Sequence, residues 1–237
     1  MTDRLTVIVS SKRLAGCIKM VDSLNETATG DFNLMIACRV SDFQDYNEAI
    51  GVKPHVQLFP TPDNNTPREN GLIVLDHNKC EHIFTFADDG IMLTKGWDEL
   101  LLNAMWSDNI GVVWPCTQNP DGKVLRHCFI MMLTKTWLKT VGYWSWDKFI
   151  NYYVDPFIQT VGEKIGRAKC VDGVVWLHAH KDDEWSKGLR NKAGTDREMF
   201  YSMETKQEIE RVAKLLRMEI KQRSVEWRPC TGCQPSL

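Results

Sequence analysis

"EHIFTFADDGIMLTKGWDELLLNAM", residues 81–105, is the stretch on which the fold turns. An apolar run ends in two adjacent aspartates and a glycine, then resumes with the spacing of a helix. Neighbouring carboxylates repel, and a solvated surface pair has no need of a buried strand to deliver it. Asp88 and Asp89 make sense where something positive sits against them. "HIFTFA" (82–87) is short and rich in β-branched and aromatic residues, as a strand is, and "GWDELLLNAMW" (96–106) reads as a helix beyond it.

Upstream, "LTVIVS" (5–10) has the nearly continuous apolar character of a buried parallel strand. "LAGCIKMVDSLNE" follows as a helix, with Leu14, Ile18, Val21 and Leu24 on one side. "FNLMIACRVS" (32–41) and "HVQLFP" (55–60) are the next strands. The polar segment "TPDNNTPREN" then leads to a helix near Gly71–Cys80. Downstream, "IGVVWPCT" and "HCFIMMLT" read as strands joined by a hairpin turn at Asn119–Gly122. "WDKFINYYVDPFIQTVGEKIG" carries helical periodicity, interrupted or started at Pro156. "KCVDGVVWLHAH" is a last strand, and residues 196–223 read as one long amphipathic helix with Ile209, Val212, Leu216 and Ile220 in register.

Strands alternating with helices imply an α/β sheet, and such sheets bind ligands at the carboxyl ends of their strands. Asp88 and Asp89 fall at such an end. At 237 residues the chain can bury a full core. No apolar run approaches the roughly 18 to 20 residues that a membrane helix requires. The start, "MTDRLTVIVSSKR", lacks the layout of a signal peptide, so the expected location is cytoplasmic. A formal charge of −2 argues against broad nucleic-acid binding by the whole surface. Of eight cysteines, only Cys230 and Cys233 in "CTGC" have ligand-like spacing, and one such pair is a weak zinc signal.

Several motifs are missing. No G-x-G-x-x-G follows the first strand, and no G-x-x-x-x-G-K-[ST] or G-x-S-x-G occurs. Dinucleotide folds, common ATPase loops and the hydrolase elbow are therefore unsupported. The acid pair has two readings. One carboxylate caps the following helix, although "GIMLTK" separates it from that helix. Alternatively the pair binds Mg²⁺ or Mn²⁺, which prefer oxygen ligands shared with substrate phosphates. "WLHAHKDDEW" (176–185) favours the second reading. His178 and His180 share a face if strand geometry persists, and imidazole is a tolerable Mn²⁺ ligand.

"TVIVSSKR", "FTFADDGIMLTKGWDELLLNAM" and "VVWLHAHKDDEWSKGLRNKAGTDREMF", in that order and spacing, resemble family 2-type glycosyltransferases with a GT-A fold. The resemblance covers residues 5–201; "ADDG" departs from the usual D-x-D in having Ala87 where the first aspartate often stands. It implies a GT-A-like single domain at 1–203, with a donor-binding half at 1–107 and an acceptor half at 108–203. Residues 204–237 then form a C-terminal amphipathic helix and tail. The resemblance also implies a metal-dependent, inverting transfer of a hexosyl or pentosyl group from a nucleotide sugar, a UDP-sugar first, to an acceptor hydroxyl.

By that resemblance Ser10, Ser11 and Arg13 border the nucleotide, and Asp42 reaches the base or ribose. Asp88 approaches the ribose or metal. Asp89 binds Mn²⁺ or Mg²⁺, and His180 or His178 completes the shell, His180 being the first choice. Asp155 is the catalytic base. The plainer readings make Ser10–Arg13 a turn, Asp42 a cap, and Asp155 an N-cap before Pro156. Asp183 and Glu184 are weaker candidates for the base. In "GYWSWDKFINYY", Trp144 or Trp146 is a candidate acceptor contact, core packing being the bland alternative.

The rival functions are a nucleotidyltransferase and a catalytically silent sugar- or nucleotide-binding module. "SSKRLAGC" is a poor match to the glycine-rich, lysine-bearing loop of the former. The acceptor is a glycan, a glycoconjugate or a hydroxymethylated DNA base, the last as in phage-type DNA-modifying enzymes. Its local support is seven basic residues against four glutamates between Lys206 and Arg228.

Overall fold

A computed structural model describes residues 4–143, 146–149, 153–179 and 194–226. The first half alternates as expected: β1 (Leu5–Ser11), α1 (Leu14–Thr27), β2 (Asn33–Arg39), α2 (Phe43–Ala49), β3 (Val56–Thr61), α3 (Pro67–His77) and β4 (His82–Ala87). Then follow β5 (Gly90–Met92), α4 (Trp97–Ala104), β6 (Val112–Gln118), β7 (Val124–Leu125), β8 (Met132–Thr134) and α5 (Lys135–Val141). The rest is α6 (Val154–Lys164), β9 (Ala168–His178), α7 (194–201) and α8 (Met203–Glu226).

Among the described residues the strands form one sheet of order β3-β2-β1-β4-β8-β6-β9-β5, with β7 beside β6. Strands β1 to β4 pair in parallel, as do β6 and β9. The short β8 runs antiparallel between β4 and β6, and β5 closes the far edge antiparallel to β9. The continuous apolar strands exist because both faces are covered. Val7, Val9, Leu34, Ile36 and Phe84 bury one face with α1 and α4. Ile8, Met35 and Ile83 bury the other with Val74 of α3. A second core forms around Val112, Trp114, Trp137, Phe157 and Val161.

Helix α8 belongs to that second core: Ile209, Val212 and Leu216 are buried in it and Ile220 packs at its margin. Leu216 has no exposed surface. Leu216→Ala is expected to destabilise the protein by about 2–5 kcal/mol, the range for an aliphatic truncation that leaves a cavity. Denaturant unfolding measures it, and a shift below about 0.5 kcal/mol, the surface range, would place the helix outside the cooperative fold.

Several boundaries differ from expectation. Helix α3 starts inside the polar segment, at Pro67, because Thr66 and Glu69 form a reciprocal capping box. The Asn119–Gly122 turn forms, with Gly122 N–H donating to Asn119 O at 2.9 Å, but it joins β6 to the two-residue β7. The anticipated strand over 127–134 shortens to β8. Helix α6 starts at Val154, after Tyr153 takes a left-handed conformation at φ 65°. The long C-terminal helix breaks at Ser202, whose Oγ accepts from Thr205 N–H at 3.1 Å and so caps α8. No helix among the described residues is long and apolar enough to cross a membrane.

Candidate functional site

Strand β4 delivers Asp88 and Asp89 at its carboxyl end, and the chain turns at once into β5. That three-residue strand assembles the site. Its antiparallel register places Gly90 opposite His178, and Ala179 N–H donates to Asp89 O at 3.2 Å. The His178 imidazole consequently stands beside the acid pair, with Nε2 3.6 Å from Asp89 Oδ1. Gly90 makes room for aromatic rings: a Cβ there would lie 2.7 Å from the Phe86 ring and 3.0 Å from Trp176.

The two aspartates have different surroundings. Asp88 is buried, and its Oδ2 accepts from Ser11 Oγ at 3.1 Å and from Lys12 N–H at 3.0 Å. Ser11 Oγ also lies 2.6 Å from the buried Tyr46 hydroxyl, which fixes the serine rotamer. Burial raises the Asp88 pKa, and the Asp89 charge adds to that rise; the Lys12 amide, Arg13 and Ser11 act against it. Arg13 Nη1 bridges the pair, 2.8 Å from Asp89 Oδ2 and 3.4 Å from Asp88 Oδ1. The positive group that adjacent carboxylates require is thus supplied partly from within the chain.

Asp89 is the member of the pair that borders open space. It lines a cavity of about 260 Å³ together with Arg13, Ala15, Gly16, Lys19, Ile91 and Ala179. The N-terminus of α1 opens onto this cavity without a side-chain cap, so helix amides, Arg13 and Lys19 together favour an anion. Gly16 permits the close packing of α1 on the acid turn, since a Cβ there would lie 2.7 Å from Asp88 O. The cavity therefore offers the Asp89 carboxylate, with the His178 imidazole beside it, together with anion-binding groups. That donor set fits a divalent metal that also holds a phosphate. Asp88, Asp89 and His178 do not by themselves close into a three-donor cluster among the described residues.

Ser10 and Asp42 lie at the carboxyl ends of β1 and β2. Ser10 Oγ accepts from Asn70 Nδ2 at 3.0 Å, and Asn70 Oδ1 is buried with no partner among the described residues. Asp42 stands at the N-cap position of α2 but makes no cap bond; its Oδ2 accepts from Arg39 Nε at 2.6 Å instead. His180, Asp183, Glu184, Trp144 and the Cys230–Cys233 tail lie outside the described residues. Trp146 packs against Phe149 and stacks on Phe157 at the margin of the second core.

Asp155 is not the N-cap of its helix. Tyr153 holds that position, so Asp155 and Pro156 fall second and third in α6. Arg167 N–H donates to Gly162 O and Val112 N–H to Arg167 O, which fixes the end of α6 at the start of β6 and β9. The 11-residue helix then runs back about 16 Å, bringing its first turn toward the carboxyl edge. Asp155 is half-buried as a residue, yet protein crowds its carboxyl, and that desolvation raises its pKa to about 7.

Sequence reasoning missed Tyr46, Lys19 and Asn70. Each is a lone polar residue on a helix, and only the packing of that helix onto the strand ends gives it a place in the site.

No known family's sequence profile matches the chain, and no curated protein matches it. Solved structures do. The UDP complex of S. aureus TarS (residues 1–349) superposes with a TM-score of 0.60 at 10% identity, over 87% of this chain and 69% of that one. The mannosyltransferase PcManGT from Pyrobaculum calidifontis, in complex with GDP-Man and Mn²⁺, gives 0.59 at 16% identity, over 98% and 76%. The fold is thus the GT-A-like α/β fold, a mostly parallel sheet flanked by helices, as the sequence resemblance implied.

Proposed function

We propose that this chain is a metal-dependent glycosyltransferase that moves a sugar from a nucleotide-diphosphate donor to an acceptor hydroxyl. The observation that carries it is Asp89, facing a cavity with His178 beside it and Arg13 and the α1 N-terminus opposite. The complexes of PcManGT with GDP-Man and Mn²⁺ and of TarS with UDP support the same reading.

Asp89 and His178 would hold Mn²⁺ or Mg²⁺, with donor phosphate oxygens supplying further ligands. Bound there, the ion neutralises the charge that grows on a departing nucleoside diphosphate. The α1 amides, Arg13 and Lys19 hold the diphosphate itself. Asp88, locked by Ser11 and Lys12, orients the turn and reaches toward the ribose. Ser10 and Asp42 border the nucleoside. Asp155 takes the proton from the acceptor hydroxyl as that oxygen attacks, in a single displacement with inversion. In this scheme residues 1–107 hold the donor and 108–203 the acceptor.

A glycan or glycoconjugate is the favoured acceptor. Within α8, Arg211 and Arg223 are engaged in ion pairs with Glu208 and Glu219, which leaves the net basic excess of the helix unchanged.

A thermal-shift panel of nucleotide sugars with and without Mn²⁺ tests the donor site. At a hundredfold excess over Kd, the right donor with Mn²⁺ is expected to raise Tm by about 5–10 °C. A UDP-sugar is the expected winner. Absence of any shift across the panel would remove the donor site. A shift without release of nucleoside diphosphate in the presence of acceptor glycans would leave a binding module.

A further inference from the structure

Away from the donor cavity, strands β6 and β9 bring two thiols and a carboxylate together. Cys116 Sγ lies 3.4 Å from Cys170 Sγ and 3.8 Å from Asp172 Oδ1. One ligand atom from each of the three falls within 4.8 Å of the others. The sheet creates this cluster through an irregularity. Pro115 pairs with Val171 and Cys116 with Val175, so residues 172–174 bulge out of β9 and carry Asp172 back over the thiols.

We propose that Cys116, Cys170 and Asp172 form a binding site for a borderline-soft divalent transition metal, zinc first. Two thiolates on one tetrahedral zinc, each about 2.3 Å from the metal, sit about 3.8 Å apart, and a thiolate and carboxylate oxygen about 3.5 Å. The observed separations need only small side-chain shifts to reach those values. Cys116 is buried, Cys170 half-buried and Asp172 exposed, so the open side toward Asp172 leaves a fourth position for water.

Charge supports the assignment. The Arg126 guanidinium lies 2.8 Å from both Asp172 oxygens and orients the carboxylate. Two thiolates and one carboxylate against that guanidinium leave two negative charges over, which one divalent ion cancels. Register disfavours the competing fate of a disulfide. Cys170 stands opposite Trp114, so it and Cys116 are diagonal rather than direct neighbours on their strands, and a metal spans that offset more readily than a bond of about 2.05 Å. Thiolate ligands also separate this site from the oxygen-rich one at Asp89, which suits harder ions.

Metal entry displaces thiol protons. Each ligating thiol gives up its proton, so two protons leave per ion, and apparent affinity rises about a hundredfold per pH unit well below the ordinary cysteine pKa of about 8.5.

The test is cobalt titration of the full reduced chain, followed by zinc competition. One equivalent of Co²⁺ is expected to produce thiolate-to-cobalt charge-transfer absorption that zinc abolishes, with a log-affinity slope against pH of about two. Cys116→Ser and Cys170→Ser should each remove that absorption, and Asp172→Asn should weaken binding at least tenfold. Cys230→Ser/Cys233→Ser should leave it intact. The proposal is overturned if the bands are absent, if they persist in both single serine variants, or if they vanish with the tail cysteines. Should a serine variant fail to fold by circular dichroism, the wild-type slope decides, and a value of one or below rejects two-thiolate ligation. Failure of nucleotide-sugar binding would leave all of these outcomes readable.

Discussion

Asp155→Asn is expected to lower sugar transfer by about 10²–10⁴-fold, the range for losing a positioned general base, while donor binding with Mn²⁺ stays within twofold. The raised pKa sharpens the test. Below about 7 the Asp155 carboxyl holds a proton and cannot accept one from the acceptor. Wild-type kcat/KM should therefore fall about tenfold per pH unit on the acid side of 7, and that limb should disappear in the variant. Stability gives a separate readout. Because the folded-state pKa exceeds the unfolded value of about 3.9, the native protein retains a proton that the unfolded chain has lost between the two values. Stability then declines as pH rises from about 4 to 7, and the neutral asparagine should melt higher than wild type at pH 8. An undiminished transfer rate would hand the base role to another residue.

Asp89→Ala is expected to cut metal-dependent transfer by roughly 10³-fold, corresponding to several kcal/mol of lost charge stabilisation in the transition state. Its fold should survive. The Asp89 charge is one of the causes that raise the Asp88 pKa, so its removal relieves a like-charge contact. Arg13 keeps Asp88 as a partner. Mn²⁺ titration of activity and thermal denaturation separate the two effects. Wild-type transfer at wild-type Mn²⁺ concentration would remove the metal assignment from this carboxylate.

Much of this arrangement was legible in the chain. The acid pair stood out because β4 is a clean apolar run, and a buried strand ending in two carboxylates has few structural uses. Asp155 was found with its wrong alternative attached: the Asp-Pro pair suggested an N-cap, and the left-handed Tyr153 moved the helix start two residues earlier. Strand β5 could not be read, because three residues, "GIM", are too few for any periodicity to show. His178 and His180 were both named beside Asp89, and the β5–β9 register that sets the His178 contact is what the sequence could not supply. The thiol cluster was equally invisible: 54 residues separate Cys116 from Cys170, and a bulge rather than a spacing brings Asp172 over them.

The β5–β9 pairing also bears on when activity can first arise. Gly90 waits for His178, so this wall of the candidate site joins segments 88 positions apart in the chain. A nascent polypeptide halted before residue 168 would contain the whole acid turn, Arg13 and the α1 amides, and still lack the imidazole. Under the proposed assignment such an intermediate would be inert toward donor sugars during synthesis, until the last strand zips onto the sheet.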